Sequence, residues 1–343
     1  MRITQQLLTA VATIAMLGFM AVAADNQRRN DYVLVTGRQL VAVQGGAART
    51  LANIRQFTLF GTTGSEAAII SWLGEAPEDT VTIVDLHDLS HVSKIPLVGD
   101  SPIPLLTSPN GSLVLSNAAI FYGGGSKDRL IRVDRGTGQT TAFEIPRLKP
   151  KLWNPNIFKA GDHIVVPAGE SLEVFAIQNN AFIASIPCKE QTAAFVYIDD
   201  VGLFQCGRGG IDKVSSADFK APEKPQHVDV RGKIRYAFPV KLPGGPAILC
   251  TGNAVDKAGV IISDKVSLAA FSVTDGKILY QVDTTGSFVP PVVGADGHTI
   301  YLCDFEKTTI RKISAATGES IGDDVLPEEF KKVHGFWLIG VAQ

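Results

Sequence analysis

Runs of three to five apolar residues, or strict alternation of apolar and polar ones, recur along the chain, separated by Gly-, Pro- and Asx-containing turns; no stretch repeats with the spacing of an amphipathic helix. Seven of these runs align as copies of one strand: Leu40-Val41-Ala42-Val43, Val81 to Asp85, Leu130 to Asp134, Leu172 to Phe175, Ile211 to Val214, Leu268 to Phe271 and Thr309 to Ile313. Their anchors, Val43, Val84, Val133, Phe175, Val214, Phe271 and Ile313, recur at intervals of roughly 39 to 57 residues, the period of a four-stranded propeller blade. The clearest copy runs from Asn110 to Gln139, where Asn110-Gly111 and Thr137-Gly138 supply the positive-φ residues that close hairpins.

Between anchors a second turn appears, at Ser108-Pro109-Asn110-Gly111, Ala160-Gly161-Asp162, Asp199 to Gly202, Pro243-Gly244-Gly245 and Ala295-Asp296-Gly297, each ahead of a short apolar run. One unit therefore reads as strand A, turn, strand B, loop, strand C, turn, strand D, which is a blade of four antiparallel strands. Tyr32-Val33-Leu34-Val35 is a B-like strand with no A strand ahead of it, and Phe336 to Val341 follows the last D strand with no blade of its own. The expected fold is all-β, a seven-bladed β-propeller whose ring closes when the C-terminal strand joins the first blade and buries both edges. A sandwich of two sheets would need seven similar units to arise by coincidence.

Ser108-Pro109-Asn110-Gly111 with Leu113-Val114-Leu115, then Ile131-Arg132-Val133-Asp134 with Thr137-Gly138, resembles the repeat of YVTN and quinoprotein amine dehydrogenase-like seven-bladed propellers. Leu268 to Tyr280 is similar to the repeat of pyrroloquinoline quinone-type propellers, with Tyr280 where Trp is usual. The resemblance covers most of the mature chain at the level of repeats. It implies fold much more than activity, because blades of this kind carry many unrelated functions.

The 343 residues bring 45% apolar composition, ample for a core. Charged residues are only 19% and the formal net charge is −2, which argues against nucleic acid as a partner. At the N-terminus Arg2, an apolar run from Leu7 to Met20 and Ala21-Val22-Ala23-Ala24 fit a cleavable secretory signal, the alternative being an uncleaved membrane anchor, since the run is nearly long enough to span. Residues 1–24 are thus expected to be a signal peptide and 25–343 a single propeller domain, secreted or periplasmic, with no stable membrane span once the signal is cleaved.

In an antiparallel blade the A–B and C–D turns share one face, and the B–C loops and D–A crossovers share the other. The long connections, Trp72 to Asp79, Ala118 to Asp128, Arg147 to Pro155 and Gly252 to Lys265, all belong to the second class, so that face is where a protein partner or small ligand is expected. Trp72, Tyr122, Lys127, Asp128, Trp153 and Asp256 are its candidate binding residues, combining exposed aromatics with mixed charge. Gly123-Gly124-Gly125 lacks the Lys-Ser pair of a phosphate-binding loop.

No metal site emerges from the histidines. His87 and His91 fall in a C–D turn, where i, i+4 spacing does not bring side chains together, and His163 and His298 follow A–B turns. There is no C-x-x-C-H, no G-x-S-x-G, no H-E-x-x-H and no dinucleotide fingerprint, so neither the catalytic residues nor a cofactor is identifiable. Cys206, Cys250 and Cys303 end B strands of three successive blades and read as buried packing residues, too far apart to pair; a Cys188–Cys206 bridge is the one disulfide left open. The functional expectation is an exported scaffold that binds through its loop-rich face. The alternative is an amine dehydrogenase-like, quinone-dependent oxidoreductase or the propeller subunit of one, with an acidic or Arg-lined channel.

Overall fold

The computed structural model describes residues 30–342 apart from 37–38, 55–56, 72–79, 99–112, 125–128, 145–156, 169, 189–193, 208, 223–225, 232, 259, 288 and 334. Residues 1–24, the Asn110-Gly111 stretch and the candidates Trp72, Lys127, Asp128 and Trp153 lie outside the described residues.

Seven four-stranded antiparallel sheets form the ring. Blade 1 contains β1 (Tyr32–Thr36), β2 (Gln39–Gln44) and β3 (Ala47–Asn53). Blade 2 contains β4 (Phe57–Thr62), β5 (Glu66–Ser71), β6 (Thr80–Asp85) and β7 (Val92–Pro96), and blade 3 contains β8 (Val114–Leu115), β9 (Ala119–Gly124), β10 (Arg129–Asp134) and β11 (Thr140–Glu144). Blade 4 follows with β12 (Phe158–Ala160), β13 (His163–Pro167), β14 (Ser171–Ala176) and β15 (Phe182–Pro187), and blade 5 with β16 (Ala194–Ile198), β17 (Gly202–Gly207), β18 (Gly210–Ser215) and β19 (His227–Val228). Blade 6 has the longest strands, β20 (Lys233–Leu242), β21 (Gly245–Val255), β22 (Ile261–Ser272) and β23 (Lys277–Thr285). Blade 7 is β24 (Val292–Val293), β25 (Thr299–Asp304), β26 (Thr309–Ser314) and β27 (Ser320–Val325), and β28 (Phe336–Val341) completes the chain.

All seven sequence anchors fall on third strands, β2, β6, β10, β14, β18, β22 and β26. Ring closure is as the sequence predicts: β28 pairs antiparallel with β1, Tyr32 opposite Val341 and Val35 opposite Trp337, and so becomes the innermost strand of blade 1. Three expectations change. The run Leu113-Val114-Leu115, expected after the Asn110-Gly111 turn as a second strand, supplies the innermost strand β8. Ala118 to Asp128 is not one long loop, because Ala119 to Gly124 pairs along β10 as β9. The stretch from Gly252 to Lys265 is mostly strand, because β21 and β22 run on as a hairpin and leave only a short connection around Asp256 to Val260.

The core is divided among the spaces between neighbouring blades. Strand alternation sends successive side chains to opposite faces, so each blade feeds two such spaces. On β17, Phe204 and Cys206 pack towards blade 6, while Leu203 packs towards blade 4. The innermost strands crowd at the axis: on β4, a Cβ at position 61 would collide with the carbonyl of Leu113, so only Gly61 fits there.

Candidate functional site

Seven innermost strands, β4, β8, β12, β16, β20, β24 and β28, surround the axis. Two cavities open between them and meet at Thr62, Thr63 and Pro239. The smaller, of about 380 Å³, lies towards the β4–β5 and β24–β25 turns and is lined by Thr63, Gly64, Lys241, Ala295 and Gly297. The larger, of about 400 Å³, is lined by inner-strand residues of blades 2 to 6, including Phe158, Lys159, Phe195, Tyr197, Arg235, Tyr236 and Phe238.

The wall of the larger cavity is aromatic and its charge has one sign. Phe158 and Phe195, on neighbouring blades, stack with ring centroids 5.9 Å apart and planes 7° from parallel. Tyr197 stacks on Phe219 and donates its hydroxyl to the Ala217 carbonyl at 3.1 Å; burial and the nearby Asp199 and Asp200 raise its pKa. Lys159 and Arg235 are exposed, one on β12 and one on β20, and are the only charged side chains among the described lining residues. With Lys241 in the adjoining cavity, the described channel lining carries three cations and no carboxylate. Such a lining favours an anion, and the rings offer flat apolar surface beside it.

The residues predicted from the sequence are differently placed. Tyr122 is fully buried on β9 and packs with Ile70, Val81 and Ile131 between blades 2 and 3, so it is a core residue and not a loop contact. Its position in an apolar alternating strand beside Ile120 carries that information. Asp256 is exposed, and its Oδ1 accepts from the amides of Ala258 at 2.8 Å and Val260 at 2.9 Å, fixing the β21–β22 connection. The structure brings neither of them to the channel. The channel residues sit on strands and not on the long loops, yet the sequence carries a signal: Phe158-Lys159-Ala160 and Arg235-Tyr236-Ala237-Phe238 put cations into strands that should be innermost.

The Cys188–Cys206 bridge does not form; all four cysteines are buried thiols. Cys188 packs with Phe195 and Leu203 between blades 4 and 5, whereas Cys206 points the other way, into the space between blades 5 and 6. Burial pushes the Cys188 thiol up to about 11 and the Cys303 thiol up to about 12. The separation expected of Cys206 and Cys250 is also corrected: the two thiols lie within hydrogen-bonding reach. Among the described residues no three His, Cys, Asp or Glu side chains converge as a metal site. No helix among them is long and apolar enough to cross a membrane.

No family model and no curated protein sequence matches the chain. Solved propellers do match in shape. A putative 6-phosphogluconolactonase from Bacteroides uniformis superposes with a TM-score of 0.55 at 12% identity, covering 91% of this chain and 100% of that one. A streptogramin B lyase gives 0.52 at 10% identity over 90% and 95% of the two chains. Dihydro-heme d1 dehydrogenase NirN gives 0.51 at 13% identity, covering 89% of this chain and 66% of that one. At these identities the likeness is one of fold, a propeller architecture shared with proteins of enzymatic type.

Proposed function

We propose that the protein is an exported propeller whose central channel binds a small anionic ligand bearing a flat ring or similar apolar face. The observation that carries this reading is the pairing of Lys159 and Arg235 with the Phe158, Phe195, Tyr236 and Phe238 wall in one cavity of about 400 Å³. Seven blades hold these side chains on strands, so little ordering entropy is lost when a ligand enters. Export is supported by the signal-like first 24 residues.

Titrating the mature chain with phenyl phosphate and with phenol tests the reading. Phenyl phosphate should bind more tightly, and Arg235→Ala should weaken it by about tenfold or more, the scale of a lost charge-assisted hydrogen bond. Asp256→Ala should leave it unchanged. Equal binding of the two probes would sink the proposal.

The quinone-dependent reading keeps one point of support, since an Arg-lined channel is what it requires and Arg235 lines this one. Lys159 and Arg235 would hold the carboxylates of an anionic quinone, and the Phe158 and Phe195 wall would flank its ring. When bound, such a group would supply two-electron redox chemistry. A visible absorption band in protein purified from its native host would favour this oxidoreductase; a colourless protein favours the binding module.

A further inference from the structure

We propose that Cys206 and Cys250 form a disulfide that ties blade 5 to blade 6 when the chain folds in an oxidising compartment. Cys206 lies on β17 and Cys250 on β21. Counted from the first residues of their strands, Gly202 and Gly245, Cys250 is one residue further along than Cys206. That single step reverses the face on which a strand side chain emerges. Cys206 therefore faces forward and Cys250 faces back, into the same apolar space, with Phe204, Ile248, Ala269 and Phe271 around them. Cys303 keeps the parity of Cys206 and faces away, towards blade 1.

Cys206 and Cys250 are 0% and 2% exposed, so thiol-disulfide exchange has no access once the blades have closed. Donation of the Cys206 S–H to the Cys250 sulfur, followed by burial, also raises the Cys206 pKa and withholds the thiolate. The bridge must then form while the interface is open. The Cys206 thiolate attacks one sulfur of an oxidised disulfide such as oxidised glutathione, giving a mixed disulfide and one glutathione thiolate. The Cys250 thiolate attacks Cys206 Sγ and displaces the second glutathione. Two cysteines lose two electrons, one oxidised glutathione becomes two reduced ones, and the two cysteine protons end on the glutathione thiolates. The proposal leans on export for its compartment and is independent of what the channel binds.

The test incubates the full chain with oxidised glutathione in urea just below the unfolding midpoint, alkylates it in denaturant without reductant, and maps the peptides by mass spectrometry. A peptide joining Cys206 to Cys250, with Cys188 and Cys303 alkylated, is the expected result. Alkylation of Cys206 and Cys250, a glutathione adduct on either, or a link to another cysteine would overturn it. The bridge closes a loop of about 45 residues, so the linked form should melt about 5 °C higher than the reduced form. A Cys206→Ala/Cys250→Ala variant should lose that dependence on reductant. A lower melting temperature for the linked form would show that the native interface cannot hold the bridge.

Discussion

The space between blades 5 and 6 and the seam between blades 7 and 1 perform the same task with different chemistry. The first is filled by apolar side chains: Phe204 and Phe271 meet edge-on at 6.2 Å beside Ile211, Ile234 and Ile248. The seam, where β28 closes the ring, adds a buried polar lock. The Tyr32 hydroxyl donates to Asp324 Oδ2 at 2.5 Å, Lys312 Nζ donates to Asp324 Oδ1 at 2.7 Å, and the Tyr32 ring meets Tyr301 edge-on at 6.0 Å. Consecutive blades are held in order by the chain itself and can rely on packing. The closing contact joins residues 292 apart in sequence, and a directional bond specifies its register where an apolar patch would tolerate slippage.

Substitutions at the two interfaces separate these roles. Phe271→Ala should cost the most, about 4 kcal/mol in urea unfolding, by opening a cavity in a close-packed space. Asp324→Ala should follow at about 3 kcal/mol, because the half-buried Lys312 ammonium and the buried Tyr32 hydroxyl lose their common partner. If it costs less than 1 kcal/mol, the lock is ornamental and the seam is held by packing alone. Tyr32→Phe removes one hydrogen bond and leaves the Lys312–Asp324 pair, so about 1 kcal/mol is expected. Smallest is Arg135→Ala, at or below about 1 kcal/mol: its pairing with Glu66 joins blades 2 and 3 where water still reaches both groups.

Alkaline pH sharpens the same contrast. Burial, reinforced by the Asp324 carboxylate, raises the pKa of Tyr32, and burial pushes Tyr301 up to about 12. In the unfolded chain these phenols release their protons near pH 10 while the folded protein keeps them. Their stabilisation is therefore complete below about pH 10 and is lost as the pH rises towards 12, at up to about 1.4 kcal/mol per pH unit for each tyrosine. Tyr32→Phe should remove its share of that slope and Phe271→Ala none, as chemical denaturation at pH 9, 10 and 11 would show.

The repeat was legible because it rests on local chemistry. Thr137-Gly138 and Pro243-Gly244 announce their turns, and seven anchors share one pattern, so the blades, the partners of β1 and β28, and the faces of the loops follow from the chain alone. What failed depends on parity and length. Nothing in the run Ala247 to Thr251 shows that Cys250 has slipped one residue relative to Cys206, and that slip decides which blade it faces. Gly252 to Lys265 reads as a loop because Gly252 and Asn253 are poor strand formers, yet pairing opposite Ser267 and Val266 overrides them. The channel escaped because it is assembled from five blades, and its cations are far apart in sequence.

Closure through β28 has one more consequence. The Ala342 amide donates to the Asp31 carbonyl at 2.9 Å, so the two ends of the propeller are neighbours across a single hydrogen bond. Topologically the ring has no privileged first blade. A circular permutant that joins these ends through a short linker and opens the chain elsewhere, for example at the exposed Asp199-Asp200 turn, should rebuild the same seven sheets with the former seam reduced to an ordinary internal hairpin.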